Sequence, residues 1–284
     1  HREDAHDGHA HQVVRGARPP RDLRRQQGRA AADDGALTAP RRRCRGRAAC
    51  CRRESGPSKA QRHRAHRAGL LGGVSVLANG AAWEAAADFL RAQPQVSAGI
   101  HLNLIEGKPI ALATAPILNP QGELAGRNAV MLRWLLRPRA VAQAVEREWR
   151  AQIERLLQAG LRLTHTDSHQ HFHAFPPAFR LATRLCLDYG IPALRWPGER
   201  NAIKTRQLTT FALNANLFAS QAVLAKTSLR TNDHFLGFKR AGEYGLAELL
   251  ADVRTLQEGV TEIALHPSQQ NFVPYAKLRG DDER

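Results

Sequence analysis

Large apolar side chains are distributed unevenly along this chain of 284 residues. Residues 1–63 contain no Phe, Trp, Tyr, Ile or Met. The large aliphatic residues of that segment are Val13, Val14, Leu23 and Leu37. A segment of this composition buries too little apolar surface to offset the conformational entropy that it would lose on folding. We therefore expect residues 1–63 to be disordered and residues 64–284 to form one folded domain.

The same first segment carries much of the positive charge. It holds 16 Lys and Arg against 7 Asp and Glu, which is +9 of the formal net charge of +16. Basic segments of this kind can bind nucleic acid or an anionic membrane surface. However, this one lacks both interleaved aromatic residues and a periodic apolar face. We therefore do not expect nucleic acid as a partner. An abrupt change of composition near residue 64 favours a third interpretation, namely GC-rich coding DNA read out of frame.

From residue 65 onward, short β-like runs alternate with longer helical patterns. Strands are predicted over 72–79, 96–104, 191–195 and 260–265, with another in the histidine-rich segment 165–173. Helices are predicted over 83–93, 139–157, 177–189 and 246–257. This alternation is typical of an α/β protein with a mostly parallel sheet. We prefer a (β/α) barrel to a doubly wound sheet, because several strands end in polar residues that would converge at one mouth of a barrel.

The segment 165–173 reads His-Thr-Asp-Ser-His-Gln-His-Phe-His. On an extended strand, Asp167, His169, His171 and His173 would project from one face. Imidazole and carboxylate groups are suitable ligands for a divalent transition metal. The alternative is a solvated strand end with incidental histidines. The position at the end of a strand favours a metal or catalytic site.

Two further histidines lie at the ends of predicted strands. His101 follows Gly99, which permits close approach of the backbone, and the chain turns soon after it. His266 ends the last predicted strand before a proline, where it could act as a general acid. In each case the alternative is a structural histidine without a chemical role. The signals at Arg195 and at Asp233–His234 are weaker.

Cysteine content and hydropathy exclude some classes of protein. Cys186 is the one cysteine outside residues 1–63, so the sequence predicts neither a disulfide framework nor a zinc finger. No stretch is long and apolar enough to span a membrane, and no leader pattern is found. We expect a cytoplasmic protein.

Five segments, in this order, resemble the YdjC-like (ChbG/HpnK) carbohydrate deacetylases: 99–107, 164–173, 191–195, 233–237 and 262–267. The resemblance covers about residues 65–268. It implies a (β/α) barrel that removes acetyl groups from N-acetylated sugars, such as chito-oligosaccharides or glycosylated lipids. It further implies one divalent ion, Mg or Zn, and a possible homodimer.

The resemblance also implies roles for individual residues. His101 and His169 would be the metal ligands, and His266 and Asp167 the catalytic residues. The implied substrate-binding residues are Arg195, His171, Asp233 and His234.

The sequence departs from this family at the first strand, where the family has an Asp-Asp-Phe-Gly motif. By spacing, the aspartate pair should lie near Cys50 and Cys51, where no aspartate occurs. Asp33–Asp34 lies too far upstream and lacks the following Phe-Gly. We therefore expect an incomplete or irregular barrel without its first strand, and impaired turnover.

Three other functions stay open at this point. The first is a catalytically inactive carbohydrate-binding protein, and the second is a nucleic-acid-binding protein that uses residues 1–63. The third is a metal hydrolase that acts on another bond, such as a phosphoester. The absence of an acidic two-metal cluster counts against this last function.

Overall fold

The structure, a computed structural model, describes residues 12–16, 44–50, 72–198, 208–236, 246–254 and 256–264. Its strands are β1 (Gln12–Gly16), β2 (Cys44–Cys50), β3 (Gly73–Val76), β4 (Ser97–Leu102), β5 (Leu163–Ser168), β6 (His234–Leu236) and β7 (Thr261–Ile263). Its α-helices are α1 (Trp83–Ala92), α2 (Arg127–Leu136), α3 (Pro138–Gln158), α4 (Pro176–Asp188), α5 (Leu208–Leu224) and α6 (Leu246–Arg254). Two 3₁₀ helices span Ala115–Ile117 and His169–Ala174.

The larger sheet has the strand order β1-β2-β3-β4-β5. Strands β2 to β5 are parallel to one another, and β1 pairs with β2 in the antiparallel direction. A second, two-stranded sheet contains the parallel strands β6 and β7. Single bridges extend the pairing beyond β5, from Thr166 to Leu194 and from Ala193 to Arg230. Parallel pairing brings the carboxyl ends of β3, β4 and β5 to one edge of the sheet.

Helices α3 and α4 show why the sequence folds this way. α3 buries Val141, Val145, Trp149 and Ile153 on one stripe, which is the spacing of a helix face. Pro138 begins this helix, where a missing N–H group costs nothing. α4 likewise begins at a proline and buries Phe179, Leu185 and Cys186, among others. Burial raises the pKa of the Cys186 thiol to about 12, so this cysteine behaves as an apolar core residue.

The structure confirms the α/β class and most of the predicted elements. Helix α2 was not predicted because it lies in a stretch interpreted as a loop. Helix α5 was not predicted because it follows no clear strand. α6 is shorter than the predicted helix 246–257. Segment 191–195 forms single bridges rather than a strand. Closure of the sheet into a barrel stays a prediction.

Strands β1 and β2 lie within residues 1–63. The disorder expected of this segment stays a prediction. Strand β2 pairs with the edge of β3, with Cys50 opposite Val76. Main-chain hydrogen bonds of this kind require no particular side chains, so apolar composition does not forecast them. The rest of residues 1–63 lies outside the described residues. Strand β2 therefore lies beside β3. It ends at Cys50, near the position where the spacing of the family motif would place the aspartate pair of the first strand.

Candidate active site

A buried pair of side chains lies at the carboxyl ends of β4 and β5. His101 and Asp167 are opposite each other in the parallel register, and both are almost fully buried. The His101 Nδ1 atom lies 2.6 Å from Asp167 Oδ1. Because the carboxylate is the acceptor, Nδ1 carries the hydrogen and the ring is fixed in one orientation.

Asp167 also binds an arginine that is itself buried. One terminal nitrogen of Arg195 lies 2.5 Å from Asp167 Oδ2, and Arg195 Nε donates to Glu262 Oε1 at 2.7 Å. Burial alone raises the pKa of Asp167, but the charges of Arg195 and His101 hold it well below its usual value. Burial lowers the pKa of Arg195, whereas Asp167 and Glu262 raise it, and the net direction is upward. The arginine thus joins two carboxylates into one ionised cluster.

Strand β3 supplies a hydroxyl group to the same cluster. Ser75 Oγ donates to Asp167 Oδ2 at 3.0 Å and lies 3.0 Å from His165 Nε2. The His165 ring lies over Gly99, where an added Cβ would be 2.0 Å from Nε2. The close approach expected at Gly99 is therefore confirmed, since any larger residue would collide with the imidazole.

The four side chains predicted to share one strand face do not do so. Strand β5 ends at Ser168, and the next six residues, His169–Ala174, form a 3₁₀ turn, called here the histidine turn. Gln170 and His171 have φ values of 49° and 53°, a left-handed conformation that breaks the alternation of faces. The prediction of a continuous strand through residue 173 is therefore wrong, and these histidines take separate positions.

His169 remains next to His101. Their ring centroids are 5.6 Å apart in an edge-to-face arrangement. Glu106, in the loop after β4, places Oε1 3.6 Å from His169 Nε2. The side chains of Asn79 and Asn103 both donate to the Glu106 carbonyl oxygen, which fixes this loop. The carboxylate of Glu106 is therefore held at the rim of the histidine pair.

His171 and His173 occupy the other side of the turn. The His171 ring packs against Phe235, with centroids 5.2 Å apart. His173 Nδ1 lies 2.6 Å from Ser168 Oγ, and its Nε2 lies 3.0 Å from the Arg195 carbonyl oxygen. Burial lowers the pKa of His171, and it lowers the pKa of His173 to about 4. Both rings are neutral near pH 7, and His173 stabilises the turn.

The remaining predicted site residues lie in different places. Asp233 accepts from the backbone N–H of Val260, and His234 Nε2 contacts the Glu258 carbonyl oxygen. These contacts join Asp233 and His234 to the loop before β7. Arg195 is buried between two carboxylates, a position that favours a role in holding them over contact with a sugar. His266 lies outside the described residues.

Several residues of the site were not predicted from the sequence. These residues are Ser75, Glu106 and Glu262. A single polar residue in a short strand or loop forms no sequence pattern that would mark it as part of a site. Two buried polar residues of α3 were not predicted either. Glu148 and Gln152 lie on its buried stripe, one helical turn apart. Polar residues at core positions of a helix require partners, and their spacing alone could have identified them.

The donor chemistry suits a metal in part. His101 faces Asp167 through Nδ1, so it would bind a metal through Nε2, in the manner of a ligand histidine oriented by a carboxylate. His169 lies beside it. Over the ranges that the structure describes, however, no group of three or more His, Cys, Asp or Glu residues could hold a metal ion. Two imidazole rings thus lie side by side here, and a metal ion would need a further ligand from elsewhere.

These features define an α/β protein with a buried histidine–carboxylate site at the carboxyl edge of a parallel sheet. The chain belongs to the YdjC-like protein family, which matches residues 63–283.

Several curated proteins are similar to this chain. The carbohydrate deacetylase of Mus musculus is 29% identical over 243 residues, covering 79% of this chain and 76% of that protein. The carbohydrate deacetylase of Homo sapiens is 29% identical over 247 residues, covering 79% and 73%. The carbohydrate deacetylase of Oceanobacillus iheyensis is 33% identical over 129 residues, covering 45% and 54%. The chain thus spans about half the length of this bacterial relative.

One solved structure shares the fold. It is the crystal structure of a candidate cellobiose-phosphate cleavage protein from Enterococcus faecalis V583. The TM-score is 0.52 at 24% identity, covering 73% of this chain and 74% of that one. Across the described ranges, no helix is long and apolar enough to cross a membrane.

Proposed function

We propose that this chain is a deacetylase that hydrolyses the acetamide group of an N-acetylated sugar with the help of one divalent ion, Mg or Zn. Family membership and the names of the relatives support the reaction class. The observation that carries the proposal is the His101–Asp167 pair, with His169 beside it at the carboxyl edge of the sheet. Cytoplasmic location, a homodimer and a chito-oligosaccharide or glycosylated lipid as substrate are further parts of this proposal.

Each residue of the site has a stated task in this proposal. His101 and His169 would hold the ion, which would lower the pKa of bound water and polarise the acetyl carbonyl. Asp167 holds the His101 ring through Nδ1, and Arg195 keeps Asp167 ionised. A carboxylate would take the proton of the attacking water, and His266 would donate a proton to the departing nitrogen. Arg195, His171, Asp233 and His234 are retained as the predicted sugar-binding residues, although the burial of Arg195 favours an indirect role for it.

The weak point of the chain is its first strand. The family motif would place an aspartate pair near Cys50, at the end of β2, and the sequence has none there. We therefore propose that turnover by this chain is impaired. Changing residues 50–53 from Cys-Cys-Arg-Arg to Asp-Asp-Phe-Gly should restore metal-dependent release of acetate from a soluble N-acetylglucosamine oligomer.

The experiment compares four proteins in the presence and absence of added Mg²⁺ or Zn²⁺: the unchanged chain, the repaired chain, and the repaired chain with either His169→Ala or Asp167→Asn. His169→Ala should abolish metal binding measured by calorimetry. Asp167→Asn should weaken metal affinity by about 10- to 100-fold, because it loosens the His101 ring. A repaired, folded chain that binds metal yet releases no acetate from any N-acetylated sugar would sink the proposal.

A second candidate function is carbohydrate binding without catalysis. The lack of a three-residue metal group in the described ranges favours it. In that case the unchanged chain should bind the same oligomer by calorimetry, with no acetate released in either metal.

A further inference from the structure

Helix α2 has two apolar faces, and one of them is buried. Val130 and Trp134, one turn apart, point into the core. The Trp134 ring lies 6.4 Å from that of Phe172 and 5.9 Å from that of Phe175, measured between centroids. The inner face of α2 therefore packs directly on the histidine turn and its end.

The opposite face of α2 consists of three exposed leucines. The exposed fractions of Leu132, Leu135 and Leu136 are 58%, 68% and 71%. Positions i, i+3 and i+4 lie on one side of a helix, and here that side is opposite to Val130 and Trp134. These three residues are called here the leucine face. A helix that is apolar on both sides is typical of one with a partner on each side.

The charge around the leucine face indicates the kind of partner. Residues 124–145 contain four arginines and no acidic residue. The arginines are Arg127, Arg133, Arg137 and Arg139. A second copy of this chain docked face to face would bring two such basic segments together, which costs free energy. An anionic partner would instead be attracted.

A cavity at the edge of the leucine face has matching chemistry. Its volume is about 530 Å³, and its lining combines aliphatic side chains with two arginines. Leu136, Leu118 and Val141 supply apolar surface, and Arg133 and Arg137 supply positive charge. Arg133 is partly committed to the Leu118 carbonyl oxygen at 2.6 Å, whereas Arg137 is exposed. Aliphatic walls with a cationic rim fit an acyl chain joined to a phosphate group.

We propose that the leucine face of α2 docks on an anionic phospholipid surface. The leucines enter the boundary between headgroups and acyl chains, and Arg137 and Arg139 bind lipid phosphates. An acidic protein would satisfy the charge, but it would not explain three separate, fully aliphatic side chains beside an aliphatic cavity. The inner side of the same helix contacts the histidine turn, so docking would bring the candidate active site within about one helix diameter, ~10 Å, of the lipid headgroups.

The test is sedimentation of the full chain with two kinds of vesicle. One kind contains phosphatidylcholine alone, and the other also contains about 30% phosphatidylglycerol, which makes its surface anionic. The residues before 64 carry a net +9 and can bind anionic vesicles by charge alone. Vesicle binding by a variant of the leucine face therefore distinguishes apolar docking from binding by charge alone. Leu132→Gln/Leu135→Gln/Leu136→Gln keeps the charge and the helix propensity of α2, and it should reduce partitioning into anionic vesicles by about tenfold or more. Arg137→Gln/Arg139→Gln should reduce it by about tenfold.

The control variants change other exposed residues of the same types. Leu157→Gln/Leu187→Gln/Leu250→Gln removes three other exposed leucines, and Arg162→Gln/Arg180→Gln removes two other exposed arginines. Both controls should bind vesicles nearly as the unchanged chain does. Equal vesicle binding by the leucine-face variant and its control would overturn the proposal. So would an effect of the variant on dimerisation in size-exclusion chromatography with none on vesicle binding, which would identify a second copy as the partner. Binding of the unchanged chain to an acidic protein but not to anionic vesicles would overturn it as well.

Discussion

Two of the buried carboxylates in the part of the chain that the structure describes are stabilised in different ways. Glu148 on α3 accepts hydrogen bonds from the backbone N–H groups of Ile110 and Ala111 and from the Gln152 amide. Asp167 on β5 is held by a charged partner, Arg195, and by His101 and Ser75. Glu148 thus fixes a loop through main-chain groups, whereas Asp167 belongs to a chain of ionised side chains.

The difference between them is informative because burial alone does not distinguish a structural carboxylate from one in a site. Apart from the Gln152 amide, Glu148 meets main-chain groups, and these partners would survive most substitutions. Asp167 depends on three particular side chains from three separate strands or segments. A carboxylate whose partners are themselves specialised is the better candidate for chemistry.

The largest expected effect comes from removing the cation that Asp167 and Glu262 share. Arg195→Met leaves two carboxylates buried without their partner, so the free energy of unfolding should fall by about 3–5 kcal/mol. Urea denaturation measures it. Arg150→Met is the matched control, since Arg150 also pairs with two carboxylates, Glu146 and Asp188, but at the surface. That control should cost less than about 1 kcal/mol, and equal losses would contradict the ionised-cluster interpretation.

A steric change at Gly99 should also disturb the surroundings of Asp167. Gly99→Ala places a Cβ 2.0 Å from His165 Nε2, so the free energy of unfolding should fall by about 3 kcal/mol. The double variant Gly99→Ala/His165→Ser removes the ring that collides. It should cost less than the sum of the two single changes. Full additivity would show that the collision is not the cause.

The histidine turn should make the stability of the protein depend on pH. The folded-state pKa of His173 is lowered to about 4, so the unfolded chain binds a proton first as the pH falls. The contribution of His173 to the free energy of unfolding is complete above the unfolded pKa near 6.5. It is lost between about pH 6.5 and 4 and amounts to at most about 3 kcal/mol. His173→Gln should flatten the fall of unfolding free energy over that range without abolishing it, because the pKa of His171 is lowered too. An unchanged slope would contradict this.

The smallest effect is expected on the Glu148 side. Glu148→Gln turns an amide N–H₂ toward backbone N–H groups, which should cost about 1–2 kcal/mol of unfolding free energy. Metal affinity of the repaired chain should stay unchanged, whereas Asp167→Asn should weaken it. Glu154→Gln, on the exposed side of the same helix, is the control and should change unfolding by less than about 0.5 kcal/mol.

The sequence predicted the parts of this molecule that follow a repeating pattern. The stripe on α3 and the run into β5 were visible because apolar spacing reports which face is buried. The sequence did not predict that His101 pairs with Asp167, because register between strands far apart in sequence is set by packing. The left-handed residues Gln170 and His171 could not be foreseen either, since neither residue type requires that conformation. The two faces of α2 were missed because the sequence there was interpreted as a loop.

The ion pair between Arg195 and Glu262 has a consequence for how the protein is made. The two residues are 67 positions apart, and Glu262 lies on β7, near the end of the described chain. While the ribosome is still synthesising that strand, Arg195 can pair with Asp167, but the carboxylate that accepts from its Nε atom is absent. The contacts of Arg195 are therefore complete only after β7 has been made, and a nascent chain stalled before residue 262 should hold folded β3–β5 strands around an unfinished centre.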